Sequence, residues 1–356
     1  MLSSLILLPL ASTVAWSADV TDVAPWLRGD VVIDYAYSSE KARLLEGDDL
    51  VATRQITDSL LTIGGNFSVA PGAALYFALP YYTGTHISYD GAQQMVIDPS
   101  SNSGTMLDTA TLDPQPEIFG KGMGGPWIGA RGTPFSSSLF ADRGDKVTWL
   151  LDVGYRFQDK TSLWTSNGTD HGAGPGSAAF RMSTAFSTRI KITEPYLGMS
   201  YTRTVPLRTI DNTGLQGEQI VQTASEANLL AGAEVVAYEE PSSGTRMAFD
   251  FHANLNMRTW QDIPSGIYLP SVLEASTSLV ATEAEHASIT GGIGLKYRVM
   301  EWAQLELGGD MGTIMPYQVE HFYPVTTGMG TMVWDVHTRL TLRGRDQPQR
   351  FPWDPK

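Results

Sequence analysis

The segment Arg246–Arg258, RMAFDFHANLNMR, alternates with a period of two. Met247, Phe249, Phe251, Ala253, Leu255 and Met257 fall on one face of an extended strand, and Ala248, Asp250, His252, Asn254, Asn256 and Arg258 fall on the other. Its thirteen residues exceed the ~5–6 of an ordinary soluble strand and match a tilted strand crossing a bilayer, which needs about 9 to 11. The pattern predicts one stave of a transmembrane barrel, with an apolar face toward lipid and a polar face toward a wet lumen.

The same alternation recurs along the chain. From Trp26, Leu27, Val31, Ile33, Tyr35 and Tyr37 take the lipid face, while Arg28, Asp30, Asp34 and Ser38 point inward. The polar stretch Ser39–Arg54 reads as a loop. Further strands are predicted at about 55–69, 74–82, 125–133, 146–158, 178–190, 196–204 and 226–238, followed by the opening segment as the ninth. Three more follow at about 284–299, 303–316 and 328–343. Connections after odd-numbered strands are long and those after even-numbered strands are shorter, as in bacterial outer-membrane barrels. The expected fold is therefore all-β: a transmembrane antiparallel up-and-down β-barrel of about 12 strands with both termini on the short-turn side. A soluble sandwich or a two-domain β protein would share the alternation but not the loop asymmetry. The longest irregular stretch, Thr83–Gly124, is expected to enter the lumen as a constriction or to cover the outer mouth.

Composition sharpens this picture. Charged residues make up 17% of the chain, below the ~25% typical of soluble domains. No internal apolar run reaches the length of about 18 residues that a membrane helix requires. Thirty-five glycines and 10% aromatic residues suit twisted strands joined by wet turns. No cysteine is present, which excludes disulfides, thiolate metal sites and a lipoprotein anchor. The net charge of −14 argues against nucleic acid as a partner, whereas a barrel meets the lipid bilayer through its apolar belt. The N-terminal MLSSLILLPLASTVAWSA has the apolar run and small-residue end of a signal peptide, although no Lys or Arg precedes it. The expected division is residues 1–18 as signal peptide, 19–345 as barrel and 346–356 as a Pro-rich C-terminal tail.

The hairpin LTIGGNFSVAPGAALYFALPYY (Leu61–Tyr82), GGPWIGARGTPF (Gly124–Phe135) and GAGPGSAAFRMSTAFS (Gly172–Ser187) resemble strand-and-turn patterns of bacterial outer-membrane β-barrels. More narrowly, they are similar to outer-membrane transporters associated with the meta-pathway of phenol degradation. The resemblance implies a bacterial outer-membrane location, periplasmic termini, extracellular long loops, passage through the outer-membrane assembly machinery and transport of small solutes. The chain departs from the usual barrel ending: Phe351 and Trp353 lie inside the tail rather than closing the last strand.

Inward positions carry both signs of charge. Asp250, His252, Arg258, His286, Lys296, Arg298, Asp310, Asp335, His337 and Arg339 are the candidate lumen and selectivity residues, since a charged pore lining sorts solutes. The alternative is an ion-pair network filling a narrow interior. His252, His286 and His337, with Asp250, Asp310 and Asp335, also have the chemistry of a metal or acid/base site, but no His-Glu-x-x-His spacing occurs. No catalytic residue, metal or cofactor is assigned. The adjacent Asp170-His171 is the nearest rim candidate for an outer-membrane hydrolase, yet neighbouring side chains on an extended segment point apart. Acids outside the wall, including Asp48, Asp49, Asp90, Asp98, Asp108, Asp113 and Glu117, lack calcium-loop spacing. GGIG (Gly291–Gly294) and LGGD (Leu307–Asp310) read as relief of crowding in curved strands rather than as phosphate loops. The functional expectation is a passive channel or transporter and not an enzyme. A closed structural or interaction barrel with working extracellular loops is the alternative.

Overall fold

The computed structural model describes residues 29–70, 72–90, 93–97, 106–111, 117–135, 147–158, 176–210, 218–240, 242–264, 280–300, 302–320 and 326–344. The expected signal peptide, Trp26–Arg28, Asp98, Asp113, the Asp170-His171 pair and the Pro-rich tail lie outside these residues.

Twelve wall strands form one antiparallel ring: β1 (Gly29–Glu46), β2 (Asp49–Ala70), β3 (Ala73–Asp90), β4 (Trp127–Phe135), β5 (Val147–Arg156), β6 (Ala179–Thr188), β7 (Thr193–Thr204), β8 (Glu226–Glu240), β9 (Thr245–Arg258), β10 (His286–Met300), β11 (Ala303–Ile314) and β12 (Thr326–Arg343). Each pairs with its chain neighbours, and β12 returns to β1 with Asp30 opposite Arg343 and Leu45 opposite Thr327. Closure removes the open edges that would otherwise leave backbone groups unpaired in hydrocarbon. At the seam the Gly344 N–H donates to the Gly29 carbonyl at 2.8 Å, so both ends of the wall meet at the short-turn rim.

The two faces of the wall explain why these residues form it. Ile33, Ile63, Phe77, Ile128, Val153, Phe186, Met199, Leu229, Phe251, Ile293, Met311 and Val336, one from each strand in order, are large, apolar and exposed. Between them Asp34, Asp58, Asp152, Glu234, Asp250, Asp310 and Asp335 point inward and are buried. A soluble sandwich would show the reverse. The medium outside is hydrocarbon, and β9 keeps the two faces that its alternation predicts, with Phe249, Phe251 and Met257 exposed and Asp250, Asn254, Asn256 and Arg258 buried.

Two stretches expected as loops continue the wall instead. Ser39–Arg54 belongs to β1 and β2, which run on to a two-residue turn at Gly47 and Asp48, with Gly47 at φ +60. The first connection is therefore short, an exception to the expected asymmetry. Along it Lys41 and Arg43 are exposed while Glu40, Ala42 and Leu44 are buried. The outer face turns polar because the eighteen-residue β1 outruns the about 9–11 residues a bilayer requires, and with Ala42 and Leu44 inside the alternation of a lipid-facing strand is reversed there. In the same way β3 continues to Asp90 and pairs there with Glu117–Met123, which leads through 124–126 into β4. Both described ends of Thr83–Gly124 thus prolong the wall rather than turn into the lumen, and Gln93–Ile97 pairs separately with Met106–Thr111. A rim sheet of Gln261–Pro264, Val280–Glu283 and Tyr317–Glu320 joins the start of β12, and Leu207–Ile210 pairs with Glu218–Val221. All five of these segments have four residues each, too short for alternation to show.

Candidate functional site

Cross-strand register places chemistry-bearing residues at matching heights inside the barrel. His252 lies opposite Gly292, Gly292 opposite Asp310, Asp310 opposite Asp335, and Asp335 opposite Ser38. One row closer to the short turns, Glu234, Asp250, Gly294, Gly308 and His337 are linked in the same way. The β9–β12 wall thereby gathers three carboxylates and two imidazoles. The His252 ring bridges two acids, with Nε2 at 2.7 Å from Asp310 Oδ1 and Nδ1 at 2.9 Å from Asp250 Oδ2. Tyr196 O–H donates to Asp250 Oδ1 at 2.9 Å, and His337 Nδ1 lies 3.5 Å from Asp335 Oδ1. The second oxygens of Asp310 and Asp335 are buried without a hydrogen-bond partner.

Glycines make this packing possible. A Cβ at Gly292 would collide with Asp310 and the His252 ring, and one at Gly308 with the His337 ring. GGIG and LGGD therefore relieve crowding, as their sequence suggests. Tyr196 over Gly232, and Tyr76 over Gly129 and Gly154, repeat the arrangement elsewhere on the wall.

Other candidate residues form separate layers. Near the short turns Lys296 Nζ donates to Glu234 at 2.8 Å, and Arg246 also engages Glu234. Arg339 Nε donates to Asp34 at 2.9 Å, while Arg298 and Arg343 both donate to Gln304, at 3.3 and 3.1 Å. At the other rim Arg258 pairs with Glu226 at 2.8 Å. His286, opposite Arg258 in register, contacts the Ala284 carbonyl at 3.0 Å and tilts against Tyr317. The three histidines considered together in the sequence thus divide: His252 and His337 meet, and His286 lies about six residues along the wall, roughly 20 Å away.

Across the barrel, β3–β6 hold a cluster the sequence reading left scattered. Asp152 lies 3.7 Å from Arg131 and 3.6 Å from Arg181; Tyr76 O–H donates to Asp152 at 3.2 Å and accepts from Arg181 at 3.2 Å. Arg131 stacks over Tyr76 at 4.8 Å, and Arg181 and Arg156 over Trp127 at 4.9 and 5.5 Å. Alternation gives Tyr76 away, since Leu75 and Phe77 on either side face lipid. A third group, Arg54 with Glu40 at 2.7 Å and Tyr317, next to Gln261 and Glu283, lies in segments that read as loops.

The side chains of the acidic cluster are closely packed. Asp250 and Asp335 are each 3% exposed, and the cavity between His252, Lys296 and His337 is about 10 Å³, at the lower limit for one water. Of the residues named in the sequence, Asp250, His252, Asp310, Asp335 and His337 come together and Lys296 borders them; Arg258, His286, Arg298 and Arg339 do not join them.

No protein-family model and no curated protein matches the chain. Among solved structures it is similar to an outer-membrane channel from Pseudomonas putida F1, with 10% identity and a TM-score of 0.48 over 92% of this chain and 98% of that one. It is also similar to the translocator domain of the autotransporter NalP from Neisseria meningitidis, with 7% identity and a TM-score of 0.45 over 95% of each chain. A Pseudomonas aeruginosa FadL homologue shares 9% identity and a TM-score of 0.42 over 89% of this chain and 90% of that one. By its own closure, even strand number and inverted polarity, the chain is a twelve-stranded transmembrane β-barrel of the outer-membrane type.

Proposed function

We propose that the protein is a channel of the bacterial outer membrane that passes small solutes passively, with periplasmic termini and extracellular long loops. It would reach that membrane through the outer-membrane assembly machinery. One observation carries the reading: charges of both signs line the inside of a closed barrel from rim to rim, from Arg258 and Glu226 at one end to Arg339 and Asp34 at the other. Burying such groups costs several kcal/mol per ion before pairing, so a barrel serving as scaffold alone gains little from them. The ten residues from Asp250 to Arg339 named above would set charge selectivity. In this conformation the β9–β12 cluster narrows the bore, and passage follows displacement of its pairs.

Single-channel recording in planar bilayers tests this. The wild type should give small, intermittent currents, and a double variant His252→Ala with Asp310→Ala, which removes one pair of that cluster, should raise conductance severalfold. Neither current nor solute flux in either protein would refute it. The second reading, a closed barrel working through its loops, draws on the height of β1–β3 beyond the apolar belt; ligand binding to the loop side without flux would select it.

A further inference from the structure

We propose that the β9–β12 wall binds one divalent transition-metal ion of the Zn²⁺ class through Asp310, Asp335 and His337. The proposal is independent of transport. One ligand-capable atom from each of these three buried residues lies within 4.8 Å of the others. In a tetrahedral site, ligands about 2.0–2.2 Å from one ion stand about 3.3–3.6 Å apart. Closing the set from within 4.8 Å requires side-chain rotations that draw the atoms together by at most about 1.5 Å. The unpartnered second oxygens of Asp310 and Asp335, on residues 6% and 3% exposed, supply the free acceptors.

The surroundings are those a metal ligand requires. A ligating carboxylate is normally held by an outer-shell hydrogen bond, and Asp310 Oδ1 is held by His252, which is held by Asp250, which accepts from Tyr196. The charge balance points the same way. Asp310 and Asp335 face each other, and the nearest cations are shared with other acids, His252 with Asp250 and Lys296 with Glu234. A dication between the facing Asp310 and Asp335 would offset their mutual repulsion. The imidazole favours zinc or cobalt over calcium or magnesium, which take oxygen ligands. Three protein ligands would leave a fourth position for water or a passing solute.

The test uses tag-free, full-length protein in detergent, stripped with chelator and titrated with Co²⁺. One Co²⁺ per barrel is expected, with ligand-field bands of nitrogen and oxygen donors and displacement by Zn²⁺. Asp335→Asn and His337→Gln should each weaken binding by at least roughly 10- to 100-fold, the loss seen when a mere outer-shell partner is removed. His86→Gln, at a ring stacked on Phe119, should bind as the wild type does. Circular dichroism checks that each variant is folded. X-ray absorption on the wild type is independent of any variant and should show one imidazole with carboxylate oxygens. Absence of stoichiometric Co²⁺ binding, undiminished binding by the folded variants, or a shell with two or more imidazoles would overturn the assignment.

Discussion

The β3–β6 arc and the β9–β12 arc both bury charge inside the barrel, with different side chains. On the first, Arg131, Arg156 and Arg181 outnumber the single carboxylate Asp152, and the faces of Tyr76 and Trp127 accept the excess. On the second, Asp250, Asp310 and Asp335 outnumber their imidazole partners, and two acceptor oxygens stay open. The difference is chemical. A guanidinium is permanently charged and stacks on a ring, so its arc is internally complete. A carboxylate finds no such help from an aromatic face, and a surplus of acids is relieved either by a proton or by a cation from elsewhere. The basic arc is a fixed wall and the acidic arc is a receptive one.

The largest effect expected from breaking this contrast is at Asp152. Asp152→Asn leaves Arg131 and Arg181 without their shared counter-charge and should cost roughly 3–5 kcal/mol, the usual result of removing one partner of a buried pair. Urea unfolding from lipid vesicles measures it. On the acidic arc, Asp310→Asn should be milder in the absence of metal, because it also relieves the Asp310–Asp335 juxtaposition; equal losses at the two positions would erase the contrast. Gly292→Ala comes next, at about 1–3 kcal/mol for overpacking, since its methyl would collide with both Asp310 and His252. Unfolding curves like those of the wild type would show that the ring-over-glycine fit is loose. The smallest effect is expected from Tyr196→Phe, about 1 kcal/mol for one hydrogen bond to Asp250. Tyr76→Phe should exceed it, because that hydroxyl serves both Asp152 and Arg181.

The lipid-embedded half of the molecule was readable from the chain. Phe249, Phe251 and Met257 against Asp250, Asn254 and Arg258 name a strand, its faces and its medium, because hydrocarbon on one side and polar groups on the other leave one permitted pattern. Above the lipid that constraint lapses. Lys41 and Arg43 are polar outside while Ala42 and Leu44 are apolar inside, so the upper part of β1 lacks the apolar-out alternation of a lipid-crossing strand.

By itself the sequence determined the barrel class, the inward side of the charged residues within the lipid-crossing segments of β9–β12 and the absence of thiolate chemistry, because alternation is a local property of an extended chain. Tertiary structure alone decided which inward residues meet. Strand register sets heights, and heights separate His286 from His252 although β9 and β10 are neighbours, while bringing His337 from β12 beside Asp310 and Asp335. Register depends on turns, bulges and the β1–β12 seam summed around the whole ring, and no single stretch of sequence contains that sum.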